Sequence, residues 1–218
     1  LAVDRHAAGP LGGRTALRWL GRDGSVIDTT FAQLREQTNR FARVLQQLGI
    51  GKDDRVFALS GRVPALYVAA LGTLKNRSVF MPLFSAFGPE PIEARVNIAR
   101  AKVLVTTDAL YKKKIEGLRR SLPSLEHVLV IGEPGSVKNL PGTRDFRALL
   151  SQADNRFTIL PTDPEDMALL HFTSGTTGKP KGALHVHGGF LLSIARECAY
   201  SSDVRAGDRV LFATDMGW

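Results

Sequence analysis

At 218 residues and 44% hydrophobic content, the chain is long enough to bury a sizeable core, in one large domain or two small ones. A formal charge of +8 favours anionic ligands, and with no arginine-rich run or RNA-recognition motif it does not point to nucleic acid. One cysteine, Cys198, excludes an internal disulfide and fits a reducing, cytoplasmic compartment; no apolar run approaches the roughly eighteen residues that a membrane-spanning helix needs.

Residues 1–14 read as loop. Residues 16–20 and 26–29 flank Arg22-Asp23-Gly24, a hairpin signal. Thr30 then opens a helix, because Thr30 and Gln33 make a capping box that satisfies end amides reciprocally. Phe31, Leu34, Phe41, Leu45 and Leu48 recur near helical spacing, and Gly49 closes the segment. Apolar, β-rich runs follow at Arg55, Val79, Val103 and His127, one every 24 residues. Helical segments at 64–74, 89–99 and 110–118 separate them, two of them opening on proline, whose missing N–H does no harm at a helix start. That alternation predicts an α/β fold with a mainly parallel sheet and helices on its faces. Residues 132–143 form a Gly/Pro-rich connection, 145–153 a short helix and 154–166 a linker. Beyond lie a helix at 188–200 and a strand at 209–212. The expected organisation is therefore a hairpin and helix (1–54), a βα-alternating sheet (55–153), the linker, and a last segment (167–218).

That last segment carries the chemistry. From Thr173 to Gly182 it holds three glycines, four hydroxyl side chains, two lysines and one proline between apolar runs at 167–170 and 183–186. Such a stretch is a loop joining two strands. Its glycines let the backbone approach a ligand, and its amides, hydroxyls and lysines suit a polyphosphate. Walker A spacing fails: Thr173 stands where that pattern needs glycine, and Pro180 follows Lys179 where it needs Ser or Thr. The competing reading is a hydroxyl-rich surface turn with solvated lysines. His171, His185 and His187 raise the question of a metal. His185 and His187 would share a strand face, but no Cys, Asp or Glu stands at ligand spacing, and His187 reads better as a helix-entry residue.

Thr173-Ser174-Gly175-Thr176-Thr177-Gly178-Lys179-Pro180-Lys181-Gly182 resembles the signature loop of the adenylate-forming (AMP-binding, acyl-CoA synthetase) superfamily. Phe84-Ser85-Ala86-Phe87-Gly88-Pro89-Glu90, His185-Val186-His187-Gly188-Gly189 and Thr214-Asp215-Met216-Gly217-Trp218 are similar to the acetyl-CoA synthetase branch. The resemblance implies that the chain is part of the large N-terminal domain of such an enzyme, without its C-terminal domain. It implies activation of a short-chain carboxylate by ATP to an acyl-adenylate and then an acyl-CoA, with a medium-chain or aromatic acid, or a noncatalytic nucleotide-binding module, as alternatives.

By the same resemblance, Thr173, Ser174, Gly175, Thr176, Thr177, Gly178 and Lys179 would bind the ATP phosphates, while Lys181 is as well read as solvated. Lys112 and Lys113, in the run Lys112-Lys113-Lys114, stand about where similar synthetases carry arginines that bind the CoA nucleotide, and could do the same less specifically; a solvated helix face is the alternative. Ala86 replaces a glycine common beside CoA, and Trp218 corresponds to a tryptophan near the acid and CoA pocket. Mg2+ is expected with ATP, its ligand residue lying past residue 218. The expected partners are thus a carboxylate, ATP and CoA, with no nucleic acid and no membrane. Leu1 in place of Met and the stop just after an apolar run suggest a fragment, expected to be inactive alone.

Overall fold

The structure, a computed structural model, describes residues 2–132, 137, 140–173, 180–211 and 213–217. The chain opens on a single helical turn, α1 (Asp4–Ala7), and the predicted hairpin, β1 (Thr15–Leu20) and β2 (Val26–Thr30), which pairs as its own antiparallel sheet. Helix α2 (Phe31–Gln47) starts where the capping box places it: the Gln33 N–H donates to Thr30 Oγ1 and the Thr30 N–H to Gln33 Oε1. Gly49 leaves the helix with φ of 75°, a left-handed turn that a Cβ would strain.

The strands β3 (Arg55–Leu59), β4 (Val79–Pro82), β5 (Val103–Thr107) and β6 (His127–Ile131) begin at the four residues that the 24-residue spacing marks. Helices α3 (Pro64–Lys75) and α4 (Pro89–Ala99) fill the first two intervals, each with proline in its first turn. The third interval departs from a simple helix. It runs as a short turn, α5 (Asp108–Leu110), a π-helical turn (Tyr111–Ile115) and a 3-10 stretch (Glu116–Ser121). The π turn carries Lys112 and Lys113 outward between buried Tyr111 and Ile115. The predicted helix at 145–153 is a two-residue edge strand, β7 (Arg144–Asp145), then α6 (Phe146–Gln152), whose first amides donate to the Asp145 carboxylate.

The sheet has seven strands in the order β7-β6-β5-β3-β4-β8-β9, where β8 spans Met167–Thr173 and β9 Lys181–Val186. It is mixed rather than purely parallel: every pair from β7 to β8 runs parallel, and β9 returns antiparallel to β8. A loop of this length can only reverse the chain, whereas a parallel neighbour needs a long crossover. Strands β3 to β6 are apolar on both faces because both faces are covered. Val56, Val103, Val105 and Leu129 pack with Phe41, Leu45 and Val68 of α2 and α3. Phe57, Leu59, Met81, Leu104 and Val130 pack with Ile92 and Val96 of α4, and with Tyr111 and Ile115. Helix α7 (His187–Arg196) continues into a second π turn (Glu197–Ser201). The strand expected at 209–212 does not form at Arg209–Leu211, where Val210 and Leu211 are exposed; an apolar run alone makes no strand without a ladder partner, and Phe212 lies outside the described residues.

Candidate functional site

Strands β4 and β8 are parallel neighbours, so their carboxyl ends lie side by side. From β4 the chain enters the Phe84–Gly88 bend; from β8 it enters the glycine-and-threonine loop. In parallel sheets, ligands bind outside the carboxyl ends of the strands, where the Phe84–Gly88 bend and Thr173 stand. The strand–loop–strand arrangement read from the sequence is what forms. The β8–β9 ladder closes at Thr173 opposite Lys181, with Thr173 Oγ1 3.5 Å from the Lys181 carbonyl, and both side chains are exposed at the mouth. Ser174, Gly175, Thr176, Thr177, Gly178 and Lys179 lie outside the described residues, as does Trp218.

What fixes the base of the loop is packing. Phe172, 8% exposed, stacks on Phe57 of β3 at 6.5 Å between centroids and 21° between planes. The Arg95 guanidinium from α4 lies 5.8 Å from the Phe172 centroid and 4.2 Å from that of Phe87. Arg95 is 5% exposed, donates from Nη1 to the Pro91 carbonyl of its own helix, and has no carboxylate partner among the described residues. Burial lowers its pKa from the ordinary arginine value, yet the guanidinium stays charged.

The three lysines part company. Lys112 and Lys113 are exposed on the π turn beyond the carboxyl end of β5. Lys114 turns inward, and its Nζ donates to the carbonyls of Ser85 and Phe87 at 2.6 and 2.7 Å. Burial, then repulsion from Lys113, pushes its pKa down. Sequence reading treated the three as one run. A contact across 29 residues leaves no mark in the local pattern.

Asp215 and Gly217 come back over the same bend. The Ser85 N–H donates to Asp215 Oδ2 at 3.2 Å, and the Gly217 N–H donates to Asp215 Oδ1 at 2.8 Å. Gly217 sits so close that an added Cβ would lie 2.2 Å from the backbone carbon of Leu83 and nitrogen of Phe84. His171, two residues before Thr173, bonds the backbone of Met216. His185 faces the Phe190 ring at 5.4 Å. His187 is the first residue of α7, not a strand partner of His185, and its Nε2 is buried without a partner among the described residues. The described residues hold no group of three His, Cys, Asp or Glu side chains able to hold a metal ion.

Over residues 3–218 the sequence matches the family described as AMP-binding enzyme. The chain belongs to that adenylate-forming family. Within it the chain stands with the acetate and acetoacetate-CoA synthetase branch. It is 32% identical to the acetyl-coenzyme A synthetase of Methanothrix thermoacetophila over all of this chain and 35% of that protein. An acyl-CoA synthetase crystal structure from Brucella canis superposes with a TM-score of 0.86 at 30% identity, covering 100% of this chain and 38% of the other. The acetoacetyl-CoA synthetase of Streptomyces lividans gives 0.90 at 28% identity, covering 100% and 34%. The chain thus spans about a third of the length of the AMP-binding proteins that it matches. None of its described helices is long and apolar enough to cross a membrane.

Proposed function

We propose that the protein carrying this chain activates a short-chain carboxylate, acetate first among candidates, with ATP and transfers the acyl group to CoA. The reading is carried by one observation: a glycine-, threonine- and lysine-rich stretch follows the carboxyl end of β8, in a chain matched to AMP-binding enzymes over residues 3–218. Similarity to acetyl- and acetoacetyl-coenzyme A synthetases supports the short acid. A carboxylate oxygen would attack the α-phosphorus, the α–β bridge would break, and pyrophosphate would leave. The CoA thiolate would then attack the acyl carbon and expel AMP.

Negative charge gathers on phosphate oxygens in the first step, and preorganised donors stabilise it. In this reading the hydroxyls of Thr173, Ser174, Thr176 and Thr177, with the amides of Gly175 and Gly178, hold the β- and γ-phosphates, and Lys179 adds charge. Lys112 and Lys113 are exposed cations suited to the nucleotide part of CoA, and Trp218 would border the acid pocket. Mg2+ would accompany ATP, held by residues past 218. One cysteine and, among the described residues, no helix long and apolar enough to cross a membrane are compatible with a cytoplasmic enzyme.

Pyrophosphate release by the whole protein with ATP and a panel of acetate, propionate, acetoacetate, octanoate and benzoate tests the proposal. Short acids should lead; preference for octanoate or benzoate would overturn the substrate assignment, and no release with any acid would overturn the activity. Lys179→Ala should lower kcat by roughly 100-fold with the KM for acid nearly unchanged, the size seen when one preorganised donor is removed. Unchanged turnover would remove Lys179 from the phosphate site.

A further inference from the structure

The geometry points to Lys114 as a positioning residue that, together with Asp215, holds the Phe84–Gly88 bend rigid as one wall of the nucleotide site. This deepens the function proposed above and rests on it. Ser85 is gripped from both sides: its carbonyl accepts from Lys114 Nζ at 2.6 Å, and its N–H donates to Asp215 Oδ2 at 3.2 Å. Lys114 takes the Phe87 carbonyl as well, at 2.7 Å, so the carbonyls on both sides of Ala86 are tied to one ammonium. Ala86 itself is exposed. Arg95 completes the brace by lying over the Phe87 ring while also reaching Phe172, which leads into Thr173.

Three charged side chains from three separate segments therefore converge on a five-residue bend that has no regular ladder to hold it. Charged donors and acceptors make hydrogen bonds roughly twice as strong as neutral ones, and a lysine held by two carbonyls gives up rotamer freedom to do so. A bend needed only to connect β4 to α4 would be satisfied by water. One that must present a small residue beside the carboxyl end of β8 needs a fixed backbone. The phosphate loop is a different segment, so loosening the wall should disturb the orientation of the reacting groups more than ATP binding.

The test uses the whole protein and the variants Lys114→Met and Asp215→Ala. Amide exchange at Ser85, Ala86 and Phe87 should rise in both. In Lys114→Met, kcat for pyrophosphate release should fall about tenfold or more with the KM for ATP within about twofold, the pattern of lost orientation. Unchanged amide exchange overturns the inference. So does faster exchange with unchanged kcat, which leaves the clamp structural only, or a loss confined to the KM for ATP. Were the wild-type protein to release no pyrophosphate, the proposed function would fail, whereas the exchange arm would still report whether the clamp exists.

Discussion

His171 and His187 lie where the last strands meet the rest of the sheet, and both are held below the ordinary imidazole value of 6.5. Burial is the main cause in each. For His171 the bond to the Met216 backbone opposes it and the charge of His185 adds to it; for His187 only the Asp166 carboxylate opposes it. The folded protein therefore binds fewer protons than the unfolded chain just below pH 6.5. Their contribution to stability is present above 6.5 and is lost as pH falls through the lowered folded-state values. The depressed carboxylates, such as Asp166 beside Lys52, act in a lower window, below their ordinary 3.8. Urea midpoints measured from pH 7.5 to 5 should fall with acid, and the fall should be shallower in His171→Gln and His187→Gln. Parallel curves for wild type and variants would mean that neither imidazole matters.

The element scale is governed by how closely α2 and α3 approach. Gly72 of α3 faces α2 so tightly that a Cβ would lie 2.8 Å from Phe41 Cδ1 and 2.9 Å from the Thr38 carbonyl oxygen. Two effects oppose each other in Gly72→Ala. Helix propensity favours alanine by about 1 kcal/mol, and overpacking against a rigid backbone costs about 1–3 kcal/mol. Since the carbonyl belongs to a helix and cannot rotate away, overpacking should win, leaving a net loss of up to about 2 kcal/mol. Thermal melting reads this directly, at about 2–4 °C per kcal/mol for a chain of this size. A higher Tm would show that α3 can shift at little cost.

The same pair of helices marks what was legible in the sequence. The capping box at Thr30 and Gln33, the glycine exit at Gly49 and the strand starts at Arg55, Val79, Val103 and His127 are written in local spacing, and the structure reproduces them. What spacing could not supply was decided by distant contacts. The lysine run becomes a π turn because Tyr111 and Ile115 are both drawn into the core, which separates Lys114 from its neighbours. The bracing of Ser85 by Asp215 spans 130 residues. The apolar pair Val210 and Leu211 acquires no strand partner among the described residues. For the candidate site, the strand–loop–strand frame was readable in advance; the buried Arg95 between two phenylalanines was not.

Across the whole molecule, burial is uneven. The core clusters draw on β3 to β6, the helices that cover them and, from β8, Phe172. No residue of α7 or of the π turn after it is buried, and β9 is exposed along its first four positions. Leu192, Tyr200 and Leu211, at 73, 86 and 80% exposure, belong to this outer layer. Burying a leucine is worth about 1.5–3 kcal/mol, so a helix that buries none relies on its own backbone bonds and on its junction with β9. Local opening there should cost far less than global unfolding. In native-state hydrogen exchange on this chain, amides at 190–201 should exchange at least about 100-fold faster than those of β5, whose opening requires the sheet to come apart. Adding urea below the unfolding midpoint should accelerate β5 steeply and 190–201 hardly at all, because a local opening exposes little new surface. Equal protection and equal urea dependence in the two segments would mean that α7 folds and unfolds with the core, and that its exposed leucines are no measure of its stability.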